Sequence, residues 1–139
     1  MDQTTIFFFA AIIILGALMF AIIGMNKKGH KNLDIAHYQK KWFVIEQQFK
    51  KDDISSYSLT VLNADKLLDQ ALKERGMKGE TMGERLKSAK DVFSERNNVW
   101  SAHKLRNKIA HETDVKVTYN AARYALGDFK RALKDIGAI

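Results

Sequence analysis

The longest uninterrupted apolar run in the chain lies at Ile6 to Ile23: eighteen residues, IFFFAAIIILGALMFAII, without a charged or strongly polar side chain. At about 1.5 Å per residue the run nearly crosses a hydrocarbon core of about 30 Å. Thr4, Thr5, Gly24 and Met25 complete the length, so residues 4–25 are expected to form a single transmembrane helix. A cleaved signal peptide would have a basic n-region and a shorter apolar core, whereas Asp2 is the charged side chain before this run. A pilin-type leader would place basic residues before the run and an acid just inside it, and the chain has neither.

Beyond it the pattern changes. Residues 26–33 are polar and basic (Asn26 to Asn32 reads NKKGHKN), a hinge too short to give the following domain much reach. From Asp34 to Ile139 apolar positions recur at spacings of three and four, with no proline, no alternating strand pattern and no internal repeat. Ile35, Tyr38, Trp42, Ile45 and Phe49 form the first stripe. Asp52 to Ser56 break the run and offer N-cap oxygens for a second helix, with Val61, Ala64, Leu68, Ala71 and Leu72 on one face and Gly76 at its C-terminal end.

Thr81 and Glu84 then have the spacing of a capping box, opening a third helix expected from Met82 to about Glu95 with Leu86, Ala89 and Phe93 turned inward. Arg96-Asn97-Asn98 reads as the next break, followed by a helix from about Asn98 to His111. A final ladder, Tyr119, Ala122, Leu126, Phe129, Leu133 and Ile136, starts behind either Asp114 or Thr118. The expected fold class is all-α: one N-terminal transmembrane helix, then residues 34–139 as a small antiparallel bundle of about five helices. Both Trp42 and Trp100 are expected in its core, and the width of the stripes leaves room for a dimer face.

All 23 basic residues and 15 of the 16 acidic ones follow the anchor, giving the remainder a net charge of +8. Lys27, Lys28 and Lys31 immediately follow the span and no Lys or Arg precedes it, so the C-terminal domain is expected on the cytoplasmic side of a cell membrane. The charge suits anionic headgroups or nucleic acid equally. The absence of cysteine agrees with a reducing compartment.

Chemistry concentrates in Arg106-Asn107-Lys108-Ile109-Ala110-His111. Stepping about 100° per residue with Leu105 at zero puts Arg106 near 100°, inside the apolar arc, and His111 near 240°. His103, Asn107 and Trp100 fall with His111 on a polar shelf. An arginine at the edge of a core must meet a carboxylate, a phosphate or carbonyls. Asp65, on the rim of the second helix's apolar face, is the first candidate partner and Asp69 the second. One reading makes this an ion pair that fixes helix register; the other makes Arg106 a pre-positioned phosphate ligand. His111 is either a complement to the helix dipole or, beside Arg106 and Asn107, a general acid or base.

A zinc site from His103, Asn107 and His111 is not expected, since the outer histidines lie about 12 Å apart along a helix and Asn is a poor ligand. Gly76, Gly79 and Gly83 lack the strand and the Gly-Lys-Ser/Thr of a phosphate loop. No metal and no cofactor is expected.

The stretch Trp100-Ser101-Ala102-His103-Lys104-Leu105-Arg106-Asn107-Lys108-Ile109-Ala110-His111-Glu112 resembles the signature helix of the HEPN superfamily, in which an Arg, a polar residue, a short spacer and a His occur late in a small helical bundle. The resemblance implies a homodimer whose two motifs face one RNA-binding cleft. In catalytic members it implies a metal-independent endoribonuclease, with Arg106 on the scissile phosphate, His111 moving the proton of a ribose 2′-hydroxyl or leaving oxygen, and Asn107 orienting them. The family also includes nucleotide-binding and scaffolding members, and a membrane anchor is not its usual setting. Expected partners are therefore membrane lipid through the N-terminal helix, RNA, and a second copy of the chain; protein partners are unspecified. The competing expectation is a non-catalytic, membrane-tethered interaction module in which Arg106 with Asp65 is structural.

Overall fold

The structure is a computed structural model that describes residues 2–26 and 31–139. Among these it contains six helices and no strand, divided between an N-terminal unit, residues 1–30, and a larger unit, residues 31–139. The expected hinge lies largely outside the described residues, at Lys27, Lys28, Gly29 and His30.

The first unit is one helix, α1 (Gln3–Asn26), apolar on every side, with Phe7, Ile13 and Phe20 well exposed along it. Twenty-four residues extend about 36 Å at the α-helical rise. The helix is therefore long and apolar enough to cross a membrane.

The second unit is a helical bundle of α2 (Ile35–Gln48), α3 (Ile54–Glu74), α4 (Met82–Ser88), α5 (Arg96–His111) and α6 (Tyr119–Asp135). Helix α3 is its hub, packing against each of the other four, while α5 also packs on α6. The three-four stripes explain this. Val61, Ala64, Leu68, Ala71 and Leu72 on α3 and Ala122, Leu126, Phe129 and Leu133 on α6 are all buried in one core with Tyr38, Trp42 and Ile45 of α2. Ile35, expected on that stripe, is half exposed at the first position of α2. Phe49 is only partly buried; its ring stacks on Tyr119 with centroids 5.0 Å apart.

Local signals set most helix ends. Asp34, Asp53 and Thr118 cap α2, α3 and α6 with side-chain oxygens, which resolves the start of the last helix in favour of Thr118 over Asp114. Gly76 at φ +88° closes α3 in a Schellman motif, with the Met77 N–H donating to Leu72 O. The Thr81–Glu84 capping box forms in both directions.

Two boundaries differ from the sequence reading. Helix α4 stops at Ser88 rather than about Glu95. Turns follow it, and the Ser94 N–H and hydroxyl are both taken by the Asp135 carboxylate of α6 at 2.8 Å. A tertiary acceptor thus replaces the helical carbonyl, although Ala89 and Phe93 remain buried as the stripe requires. Arg96-Asn97-Asn98 is not a break but the first turn of α5, an exposed polar turn anchored by buried Val99.

Candidate functional site

Asp65 lies on the face of α3 that meets α5 and is only 2 % exposed, further inside than the rim position its sequence spacing suggested. A buried carboxylate needs donors. His103 of α5 supplies one: its Nδ1 is 2.7 Å from Asp65 Oδ1, and the imidazole is itself buried. Arg106, one turn on, brings Nε to 3.2 Å from Asp65 Oδ2. The Nε–H is not aimed at that oxygen, so the contact is ionic rather than a hydrogen bond. Arg106 Nη1 donates instead to Asn107 Oδ1 at 3.0 Å, and Asn107 Nδ2 lies 3.2 Å from His103 Nε2.

Asp69, the second candidate for Arg106, is engaged elsewhere. Arg85 of α4 grips it with Nε at 2.6 Å and Nη2 at 3.1 Å, and donates from Nη1 to Gly79 O at 2.6 Å. The hydrogen bond to Asp69 outweighs the cost of burial and raises the Arg85 pKa further above its ordinary value.

These residues wall a groove of about 920 Å³ between α3, α4 and α5. Arg106, Asn107 and His111 all line it, together with Lys66, Lys104 and Trp100. His111, the last residue of α5, is exposed. Among the described residues its ring makes no hydrogen bond, and no cluster of three or more His, Cys, Asp or Glu side chains could hold a metal ion. Trp100 is not core as expected. It is partly buried at the groove's edge, its indole 5.9 Å from the His103 ring and against Gly83 of α4.

His103 is the residue the sequence reading misplaced. Its angle, about 160° from Leu105, puts it on the polar shelf just past the apolar arc that holds Arg106. Leu105 and Ile109 are only partly buried, whereas Val99, Ala102 and His103 are buried, so the true inward face is rotated toward the polar side. The available signal was a carboxylate at Asp65 beside a core stripe on one helix, and a His four residues before an Asn on another.

The chain matches no protein-family model, no curated protein and no solved structure.

Proposed function

We propose that this chain is a membrane-anchored helical domain of HEPN type, an antiparallel bundle that acts as a homodimer, binds RNA and cleaves it without a metal. The observation that carries this reading is that Arg106, Asn107 and His111 line the same groove although about 140° separates the arginine and histidine around α5. Lys66 and Lys104 on its walls suit backbone phosphates, and the Trp100 ring at its edge suits a stacked base. In this account the outer N–H groups of Arg106 hold the scissile phosphate. His111 takes the proton of the 2′-hydroxyl, whose oxygen attacks phosphorus while the 5′-oxygen leaves, producing a 2′,3′-cyclic phosphate and a 5′-hydroxyl. The leaving oxygen needs a proton in the same step. A second His111, from the partner copy across a shared cleft, supplies it. Helix α1 crosses the membrane, and Lys27, Lys28 and Lys31 keep the bundle on the cytoplasmic side, within reach of RNA.

One observation favours a second reading: Arg106 Nε lies 3.2 Å from Asp65 Oδ2, as a structural pin in a non-catalytic interaction module would. The two separate in one experiment on the full chain in detergent, offered single-stranded RNA in excess EDTA, alongside Arg106→Ala and His111→Ala. The RNase reading requires cleavage by the wild type and a loss of about 100-fold or more in each variant. If all three proteins keep their helical circular dichroism and none cuts, the module reading takes its place.

A further inference from the structure

Four side chains from two helices close a ring: Asp65 to His103, His103 to Asn107, Asn107 to Arg106, and Arg106 back to Asp65. The direction of each hydrogen bond in it follows from donor and acceptor inventories alone. A guanidinium has only donors, so Asn107 must present Oδ1 to Arg106 Nη1. Its Nδ2 then faces His103 Nε2, 3.2 Å away, and Nε2 must accept. The imidazole's proton therefore sits on Nδ1, 2.7 Å from Asp65 Oδ1. Asp65 and His103 are both more than nine-tenths buried, so water does not substitute for either partner. If Asn107 turned its amide over, two donors would meet at Arg106 and the amide oxygen would face the unprotonated Nε2.

We propose that His103, seated on Asp65, is the positioning residue of the groove: by offering an acceptor at Nε2 it fixes the Asn107 amide and, through it, the plane of the Arg106 guanidinium. The inference rests on the RNA-cleaving reading for its consequence, since an arginine held in one plane meets the phosphate with its outer edge already aligned. With Oδ1 and one Nδ2 proton of Asn107 engaged in the ring, the groove offers RNA the remaining Nη protons of Arg106 and the second amide proton of Asn107. His103 touches no substrate in this scheme and acts only through its neighbours.

Two variants divide the imidazole's duties. In His103→Gln the terminal amide falls near the position of Nε2 and keeps an acceptor for Asn107. In His103→Asn it falls near Nδ1 and keeps only the contact to Asp65. The test uses the ¹⁵N-labelled full chain in detergent micelles, reading the His103 tautomer from long-range ¹H–¹⁵N correlations and the exchange rate of the Asn107 side-chain amide, with RNA cleavage kinetics alongside. The expected result is a proton on Nδ1 of His103 and a slowly exchanging Asn107 amide in the wild type and His103→Gln, with fast exchange in His103→Asn. For cleavage, His103→Asn should lose about 100-fold in kcat with a smaller change in KM, and His103→Gln should retain most of it.

The proposal is overturned by a proton on Nε2, by equal Asn107 exchange in His103→Asn and the wild type, or by full kcat in His103→Asn. If His103→Asn does not fold, the wild-type tautomer and the His103→Gln amide decide. A wild type that cuts no RNA counts against the ribonuclease reading; the tautomer and exchange rates still judge the ring.

Discussion

Asp65 Oδ1 and His103 Nδ1 stand 2.7 Å apart where α3 meets α5, both residues buried, and the polar groups of the groove are built outward from that contact. Asp65→Ala would strand the buried imidazole N–H and remove the counter-charge beside the partly exposed Arg106 guanidinium. We expect it to destabilise the bundle by about 1–3 kcal/mol in urea denaturation. A loss below about 1 kcal/mol, the worth of one ordinary hydrogen bond, would show the contact to be incidental.

Arg106→Ala should behave differently, although it touches the same carboxylate. Its side chain is 34 % exposed and its Nε–H is not aimed at Asp65, which keeps His103 as partner. The expected cost is about 1 kcal/mol or less, together with loss of RNA binding. A cost equal to that of Asp65→Ala, with RNA binding unchanged, would make Arg106 a structural pin.

Gly79 holds the loop beneath α4 at φ +141°, and a Cβ there would come within 2.7 Å of Glu84 Cβ and 2.8 Å of the Arg85 backbone nitrogen. Both the dihedral and the crowding oppose any side chain. Gly79→Ala should cost about 2 kcal/mol or more and loosen the Arg85–Asp69 grip, read as a lower thermal midpoint. An unchanged midpoint would refute the close approach.

Glu84 supplies the pH dependence. The backbone N–H groups of Glu80 and Thr81 donate to its carboxylate and hold its pKa below the ordinary range. A depressed folded-state pKa makes the stabilisation complete above the unfolded value, and it is lost as pH falls through the folded one. Glu84→Gln keeps an acceptor but not the charge. Its stability between pH 7 and pH 3 should therefore fall less steeply than the wild type's in thermal melts; parallel curves would contradict this assignment.

The all-helical architecture was legible because α1 is one long apolar run, the bundle helices carry three-four stripes, and most carry their own cap: Thr81 with Glu84, Gly76 and Thr118 act within a few residues of themselves. The C-terminal end of α4 and the start of α5 were not. Between them Asp135, forty-one residues from Ser94, takes an N–H that a continued helix would have bonded within itself. The site divides in the same way. Arg106 with Asp65 could be anticipated from an arginine on an apolar arc and an aspartate beside a facing stripe. His103 could not, because placing it depended on choosing the inward face of α5, and a single helix rich in His, Asn and Arg gives no apolar majority to centre that face on. Asp69 shows the same limit, since its partner Arg85 comes from a loop-bounded helix whose approach no local spacing encodes.

On the proposed reading the Arg106–His111 groove cleaves RNA through the 2′-hydroxyl. The most direct measurement is cleavage of a single-stranded oligoribonucleotide by the full chain in excess EDTA, compared with the same oligonucleotide made 2′-deoxy throughout and with His111→Ala. Cutting of the ribose substrate alone is expected, with 2′,3′-cyclic phosphate ends, and a loss of about 100-fold or more in His111→Ala. Equal cutting of the deoxy substrate, or undiminished activity in His111→Ala, would contradict it.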